Sequence, residues 1–399
     1  MPPDPLAIDL AWDTVHTLVG GGSAIDVPRL HVNTLAEAED FLLCYGYDWH
    51  NIQHRTEIER IRGESLTFID RELLADVALR VPEELRDETD LRRLILFASG
   101  ETGPSRQRWA CAVLRVMHTF SHCHSYFNDR FGEQIRRQIL DRFEPHLRLT
   151  ETGWSLGHGS MSIPLERFEF KPVKPRSSLV LKLLHKPENV AADVFDRIGL
   201  RFVTKERFDA VLAVKYLTEN SVVMFANGKP SRSRNTLIDM EWLQEEILLL
   251  QEEVRAGRMQ RYAVLEELRA RVSAQPYPSG PAPSYNPYSA LAYHSIQFTC
   301  RQMVRVSNPY AGELLVRLSR LGLKEESLHN IVSEVTEGLE GQDEIRFFFP
   351  FEVQILDATS YARTRSGLAS HTEYKARQRE AVRRRVLGTL LEGGGRSSR

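Results

Sequence analysis

The sequence has no long apolar run, few cysteines and almost no net charge, and each shortage argues against a class of protein. No apolar stretch approaches the roughly 20 residues that a membrane-spanning helix needs. Its four cysteines lack CxxC spacing, which argues against a disulfide framework or a zinc ribbon. With 52 Lys and Arg against 54 Asp and Glu, the formal charge of −2 disfavours a general nucleic-acid coat. We therefore expect a soluble, reduced, cytoplasmic protein with no membrane contact.

The remaining composition is that of an ordinary globular chain. It has 399 residues, of which 42% are hydrophobic and 27% charged. Short strand-like runs separated by helical segments give an α/β pattern from about residue 147 onward. The sequence divides into a mainly helical region at 1–150, a first α/β part at 151–238, an inserted helical hairpin with a Pro-rich loop at 239–288, a second α/β part with a C-terminal helix at 289–392, and a disordered tail at 393–399.

Several local signals place elements along the chain. Thr34 and Glu37 have capping-box spacing, and apolar residues repeat every three or four positions from about 105 to 146. Strand-like runs occur at RFEFKPV, GLRFVT and SVVMFA. Gly257 is expected to break the block at 239–272 into two helices. A further helix is expected near 310–340.

Histidines at 118 and 122 are spaced to share one helical face. Such a pair can bind a metal, but no carboxylate stands in register with it. The alternative is that both histidines are core or interface residues, and this is the default interpretation.

A basic run around Ser178 has the composition of a polyphosphate-binding segment. A strand that leads into a Ser-rich helix start turns N–H groups and cationic side chains toward the same anion. A solvated basic edge would give the same pattern, so the run alone leaves both interpretations open. The cations concerned are Lys171, Lys174, Arg176 and Lys182.

Acidic and amide residues mark two apolar strands. Asp196 stands just before GLRFVT, and a carboxylate there could bind magnesium, although a turn Asp is the simpler interpretation. Glu352 and Gln354 alternate with apolar residues, so both point to one face of a strand. Because burying an unpaired carboxylate is costly, we expect Glu352 to have a role.

Together these segments resemble the synthetase domain of RelA/SpoT-type alarmone synthetases. The most specific match is EVQILDATSYARTRSGLASHTEYK at 352–375, which has the family's Glu-Val-Gln-Ile strand end and its Gly-x-Ala-x-His-x-x-Tyr-Lys run. KPRSSLVLKLL is similar to the ATP-binding segment, with Pro172 at the position of an Arg. FDRIGLRFVT, PSRSRNTLI and YHSIQ resemble three further elements in the same order along the chain.

The resemblance implies an α+β fold of the nucleotidyltransferase type, in which helices flank a mixed β-sheet. It also implies transfer of pyrophosphate from ATP to the 3′-OH of GDP or GTP. It implies Mg²⁺ as cofactor, held by Asp196 and Glu352. The implied catalytic residues are Glu352, Asp196 and Gln354. The implied ATP-binding residues are Lys174, Arg176, Ser178 and Lys182. The implied acceptor-binding residues are Arg232, Arg234, Tyr293 and Gln297, and the implied supporting residues are Arg201, His371 and Lys375.

Departures from the family pattern leave the acceptor open. Gln297 stands where the family has His, Leu291 stands where it has Asn, and the insertion at 239–288 enters beside the acceptor loop. The same chemistry on an adenine nucleotide or on a tRNA 3′ end is therefore an alternative. A degenerate member that senses nucleotides or acts as a scaffold is another. Partners expected from the sequence are ATP, the acceptor, and a second copy or an RNA.

Overall fold

A computed structural model provides the fold. It describes residues 22–100, 103–123, 126–151, 153–159, 162–171, 175–185, 198–278, 294–307, 344–365 and 371–393, with isolated positions between 15 and 20. These residues form twelve α-helices and seven β-strands. The helices are α1 Leu35–Cys44, α2 Ile52–Phe68, α3 Glu83–Arg86, α4 Leu91–Ser99, α5 Pro104–Cys123, α6 Tyr126–Leu140, α7 Arg176–Leu184, α8 Asp209–Glu219, α9 Met240–Arg255, α10 Val264–Ala274, α11 Ala358–Arg365 and α12 His371–Gly393. The strands are β1 Leu147–Thr150, β2 Gly153–Leu156, β3 Ile163–Phe170, β4 Gly199–Thr204, β5 Arg234–Asn235, β6 Ile296–Ser307 and β7 Glu344–Asp357.

The chain divides into two compact units. The first contains Met1–Ser125, Lys174–Val194 and His371–Arg399, and the second contains Tyr126–Val173 and Phe195–Ser370. The basic segment predicted to lie in the first α/β part thus belongs, from Lys174, with the helical unit. None of the helices among the described residues has both the length and the apolarity needed to cross a bilayer.

The first unit is built from helices α1–α5, α7 and α12. Val180 and Leu183 of α7 and Val382 and Val386 of α12 are buried in the same core as the amino-terminal helices. Its first long helix begins as the sequence predicts, because the Thr34 hydroxyl accepts from Glu37 N at 3.1 Å. The Glu37 carboxylate accepts from the backbone N–H of Asn33, one residue before the cap position of the usual capping box.

A seven-stranded mixed sheet forms the centre of the second unit, in the order β1-β2-β3-β4-β7-β6-β5. Only β4 and β7 pair in parallel among these strands, and the other pairs are antiparallel. The sheet confirms the coarse expectation of helices around a mixed sheet. Strands β1 and β2 were not predicted.

Side chains alternate between two faces of the sheet. Leu200 of β4 and Val353 of β7 are cross-strand partners, as are Phe202 and Ile355, and all four are buried in one apolar core. Helix α6 adds Ile135 to the same core. Because successive residues of a strand point to opposite faces, the residues between these apolar positions share the other face. That face carries the polar residues of the candidate site.

The inserted segment folds as the predicted helical hairpin. Helix α9 ends at Arg255, and Gly257 follows with φ of 72°, a left-handed conformation that glycine adopts without strain. The N–H of Arg258 donates to Glu253 O at 2.9 Å, and that of Gly257 donates to Val254 O at 3.1 Å, which together form a Schellman cap.

The apolar face of the hairpin is covered by its own unit. Leu243 and Leu250 of α9, and Leu268 and Val272 of α10, are buried in the core that also holds the sheet residues. The hairpin therefore packs on the core of its own unit, beneath the sheet residues Leu200 and Val353.

One predicted strand is absent and one predicted helix is not described. SVVMFA at 221–226 follows α8, where Ser221 has φ of 54° and Val223 N donates to Leu217 O. The chain reverses there, so the buried Val222 and Val223 close the helix end instead of pairing in the sheet. The helix expected near 310–340 lies outside the described residues.

Candidate active site

A row of five polar residues crosses five neighbouring strands of the second unit. Glu169 of β3 is the register partner of Arg201 on β4, which is the partner of Gln354 on β7. Gln354 is the partner of Gln297 on β6, and Gln297 is the partner of Arg234 on β5. Directly opposite residues in a ladder point to the same face. The fold thus aligns four predicted site residues on one polar face, together with Glu169, which was not predicted.

Glu352 lies next to this row, two residues before Gln354 on the same strand. Its residue is only 6% exposed. One carboxylate oxygen, Oε1, accepts from Gln297 Nε2 at 2.5 Å. The other, Oε2, accepts from Gln354 Nε2 at 2.8 Å and from Lys171 Nζ at 3.3 Å. Three donors from three strands or strand ends therefore compensate the cost of burying this carboxylate.

Arg201 fixes the orientation of the Gln354 amide on the side that faces away from Glu352. Arg201 donates to Gln354 Oε1 at 3.2 Å through one terminal nitrogen and to Glu169 Oε2 at 2.9 Å through the other. Because the amide oxygen of Gln354 faces a guanidinium, its NH₂ group must face Glu352. Arg201 therefore acts on Glu352 through Gln354.

Glu169 is held from two sides. The hydroxyl of Tyr361, on α11, donates to Glu169 Oε1 at 2.6 Å. Burial opposes the ionisation of Glu169, but the Tyr361 hydrogen bond and the positive charge of Arg201 outweigh it and lower the pKa of the carboxyl. Burial and the same hydrogen bond raise the pKa of Tyr361. Glu169 is thus kept as the counter-charge of Arg201.

Lys171 reaches Glu352 across a glycine. Its backbone N–H donates to Gly199 O at 2.9 Å, and a Cβ atom at position 199 would lie 2.8 Å from the Lys171 Cδ. A larger residue at position 199 would therefore require the flexible Lys171 side chain to shift. The sequence analysis counted Lys171 among the cations of the possible polyphosphate-binding run, whereas the structure pairs it with Glu352.

A second polar cluster lies at the carboxyl end of β7. The rings of Tyr277 and His294 are stacked, with centroids 4.2 Å apart and 12° between their planes. The Tyr277 hydroxyl donates to Asp357 Oδ2 at 3.1 Å, and the Arg207 guanidinium lies 4.5 Å from the Tyr277 ring centre. Burial lowers the pKa of His294 and raises that of Tyr277. This cluster adjoins the segment predicted to bind the acceptor.

In the first unit, two predicted residues from distant parts of the chain meet. Lys375 Nζ on α12 donates to Ser178 Oγ on α7 at 3.3 Å. Arg176 is engaged with other residues, since it pairs with Glu64 at 2.9 Å and its guanidinium lies 5.4 Å from the Phe120 ring centre. Arg176 therefore has a structural ion pair in addition to its predicted role in ATP binding.

Two further predicted residues, Lys182 and Arg232, lie at the ends of their elements. Lys182 lies in the last turn of α7, and Arg232 ends a short 3₁₀ turn at Pro230–Arg232. Asp196, Lys174 and Tyr293 lie outside the described residues, as does the side chain of His371.

The histidine pair at 118 and 122 is a packing feature in the described part of the first unit. The two rings meet edge to face at 4.4 Å, and His118 Nδ1 lies 2.9 Å from the Tyr45 hydroxyl. Burial, helped by His122, lowers the pKa of His118 to about 4. Across the described ranges, no group of three or more His, Cys, Asp or Glu side chains is arranged to hold a metal ion.

Sequence reasoning missed Glu169, Tyr361 and the pairing of Lys171 with Glu352. A signal for Glu169 exists, because it alternates with Phe168 and Phe170 in the run RFEFK. No such signal exists for Tyr361, whose contact with Glu169 joins residues 192 positions apart.

Comparison with known proteins identifies no relative of this chain. No protein-family model matches the chain, no curated protein matches it, and no solved structure matches it.

Proposed function

We propose that the chain is a nucleotide pyrophosphokinase that transfers pyrophosphate from ATP to the 3′-OH of a guanine nucleotide. The observation that carries this proposal is Glu352, a buried carboxylate on β7 whose two oxygens are both held by fixed donors. It is the residue that the resemblance to RelA/SpoT synthetases assigns to catalysis. Phosphoryl chemistry of this kind depends mainly on alignment and charge neutralisation, which a rigid polar sheet face can supply.

Each residue of the polar face has a role in this proposal. Glu352 accepts the proton of the attacking hydroxyl, and Gln354 and Gln297 keep its oxygens oriented. Arg201 is a positioning residue that acts through Gln354. Arg234, at the end of the polar row, supplies positive charge for the acceptor phosphates.

The donor nucleotide is assigned to residues of the first unit. Arg176, Ser178 and Lys182 are the described residues of the predicted ATP segment. Lys375, predicted as a supporting residue, donates to Ser178, and an ammonium group beside a hydroxyl suits a phosphate oxygen. The prediction for Lys174 is kept on the resemblance alone.

Magnesium is the cofactor that the resemblance implies. Carboxylate oxygen is its preferred ligand, and one or two carboxylates with substrate phosphates are a typical set. Glu352 fits one of these places by its chemistry, and Asp196 is the second predicted ligand. When bound, the ion would neutralise charge on the transferred phosphates.

A second candidate is a nucleotide-binding protein without transferase activity. The observation that favours it is the Lys171–Glu352 pair, because a carboxylate that already has a cationic partner at 3.3 Å is less available to a metal ion or to an attacking hydroxyl. Transfer to a different acceptor, an adenine nucleotide or a tRNA 3′ end, is favoured by Gln297, whose amide is engaged with Glu352 instead of being turned toward a base.

One experiment separates these functions. Purified protein is incubated with γ-labelled ATP and Mg²⁺ together with GDP, GTP, ADP, AMP or tRNA in separate reactions, and the products are resolved. A labelled guanine nucleotide would support the main proposal. Label on another acceptor would instead support transfer to that acceptor. ATP binding without any labelled product would support the non-catalytic candidate.

A further inference from the structure

The helical unit contains a large apolar cavity that the proposed function does not use. Its volume is about 510 Å³, within the range of about 300–1,000 Å³ that is usual for small-molecule sites. Ile58 and Ile61 of α2, Ile95 of α4 and Met117 of α5 line its interior, and all are buried. Arg29 and His31, which are exposed, lie at its mouth.

The cavity opens to solvent on one side, so its apolar wall faces water unless a ligand covers it. Covering apolar surface is favourable roughly in proportion to the area removed from water. Water fills a cavity well only where it finds two to four polar partners, and few of these lining residues offer them. The walls therefore favour an apolar occupant.

The polar groups on the wall show which end of an occupant would be charged. His118 and Tyr45 satisfy one another at 2.9 Å, and His118 is neutral near pH 7 because burial lowers its pKa. Arg115 is different. Its two terminal nitrogens donate to the backbone carbonyls of Val386 at 3.0 Å and Val27 at 2.9 Å, and its buried Nε has no hydrogen-bond partner among the described residues.

No carboxylate in the described part of the chain forms an ion pair with Arg115, and none of the lining residues is an Asp or Glu. Asp26 acts on Arg115 from a longer distance, and its carboxylate is paired with Arg385 at 2.7 Å. Backbone carbonyls satisfy hydrogen bonds but carry no net charge. The half-buried guanidinium with its unpartnered Nε is therefore complementary to an anion.

We propose that this cavity binds an amphipathic monocarboxylic acid, with the hydrocarbon chain among the isoleucines and the carboxylate at Arg115. The ligand class follows from the combination of an apolar wall, a half-buried arginine with an unpartnered Nε, and no acidic lining residue. The proposal is independent of pyrophosphate transfer, because every residue it uses belongs to the first unit and none was assigned to catalysis.

The test measures the binding of three probes with the same chain and different head groups to the delipidated full-length protein by titration calorimetry. Dodecanoate should bind at least tenfold more tightly than dodecanol or dodecylamine, since a charge-assisted hydrogen bond is worth about one order of magnitude or more. Absence of saturable dodecanoate binding would overturn the proposal. Equal affinity for the three probes would overturn the role of Arg115 and with it the ligand class.

Variants separate the head-group contact from the cavity. Arg115→Met should remove the preference for dodecanoate, Arg115→Lys should keep part of it, and the exposed Arg108→Met on the same helix should leave it intact. Leu114→Trp, at a lining position, should fill the cavity and abolish binding of all three probes. If the preference survives in Arg115→Met, the anion does not bind at this residue and the proposal is wrong.

Discussion

Gln297 Nε2 lies 2.5 Å from Glu352 Oε1, although the two residues are not opposite one another in the sheet. The register partner of Glu352 is Thr299, and that of Gln297 is Gln354. Gln297 on β6 thus reaches diagonally to the carboxylate of Glu352 on the neighbouring strand β7. The consequence is that the position of Glu352 depends on the register of β6 as well as on its own strand.

The first prediction concerns the carboxylate. Glu352→Gln should lower the rate of transfer at least ~10²-fold, because it removes the proton acceptor. The free energy of unfolding should fall by only about 1 kcal/mol, since Lys171 is partly exposed and keeps some solvation. Rates are measured with labelled ATP and stability by urea unfolding.

Glu344→Gln is the matched control, because Glu344 lies on the same strand but is exposed. It should leave both quantities unchanged. If the activity of Glu352→Gln falls only in proportion to the fraction of protein that is folded, Glu352 has a structural role and not a catalytic one.

The second prediction concerns Arg201 as a positioning residue. Arg201→Met leaves the Gln354 amide free to rotate, so the rate should fall by roughly tenfold with little change in the KM for ATP. Arg148→Met, on β1 and exposed, serves as control. An unchanged rate would show that Gln354 does not need this contact.

The third prediction concerns the donor nucleotide. Lys375→Gln removes an ammonium group beside Ser178, so ATP affinity should fall by about tenfold at low salt. The difference from the unaltered protein should shrink as salt rises, because the lost interaction is ionic. Lys215→Gln, on the exposed side of α8, is the control. Equal ATP affinity in all three proteins would place the donor elsewhere.

The fourth prediction concerns the attachment of the hairpin. Arg269 on α10 lies 2.9 Å from Asp209 on α8, whose side chain is fully buried. Burial raises the pKa of Asp209 and outweighs the opposing effect of Arg269, and its Oδ2 has no hydrogen-bond partner among the described residues. Arg269→Met should therefore destabilise the second unit by about 3 kcal/mol, because it leaves a buried carboxylate without its counter-charge.

The double variant Asp209→Asn with Arg269→Met should recover most of that loss. Hydrogen exchange of α9 and α10 measures the effect locally. If the single and double variants are equally destabilised, the pair contributes through packing and not through charge.

The fifth prediction concerns pH. The pKa of His118 is lowered from 6.5 to about 4 in the folded protein, so the unfolded chain accepts a proton that the folded chain resists. Its contribution to stability is complete above about pH 6.5 and is lost as the pH falls toward about 4. His118→Gln should reduce the drop in Tm between neutral and acid pH by roughly 2–4 °C. An identical drop in the exposed control His50→Gln and in His118→Gln would contradict this assignment.

Sequence periodicity was sufficient for much of the fold because local patterns report local structure. The hairpin break at Gly257 and the cap at Thr34 follow from single residues with a special backbone or side-chain role. The run at 221–226 was mistaken for a strand, because a short apolar run looks the same whether it pairs in a sheet or closes a helix end. The short strands β1 and β2 carry too little alternation to be recognised.

The candidate site was only partly accessible from sequence. Alternation correctly placed Glu352 and Gln354 on one face of a strand, as their shared hydrogen bond requires. Contacts between distant positions were not accessible, because periodicity gives no register between strands. The partners Gln297 and Lys171 lie 55 and 181 positions from Glu352 in the sequence. The catalytic roles of all these residues stay predictions.

The order of the two units along the chain has a consequence for biosynthesis. The first unit needs residues from its amino-terminal helices, from α7 and from α12, so its core is incomplete until the ribosome has translated Val386 and Leu387. At about 5–20 residues per second, its early helices wait some tens of seconds with an unfilled apolar groove. The sheet unit is encoded between these pieces and has all its segments earlier. Premature termination before α12 would therefore leave a nascent chain whose sheet can fold while its helical unit becomes a client for chaperones or proteases.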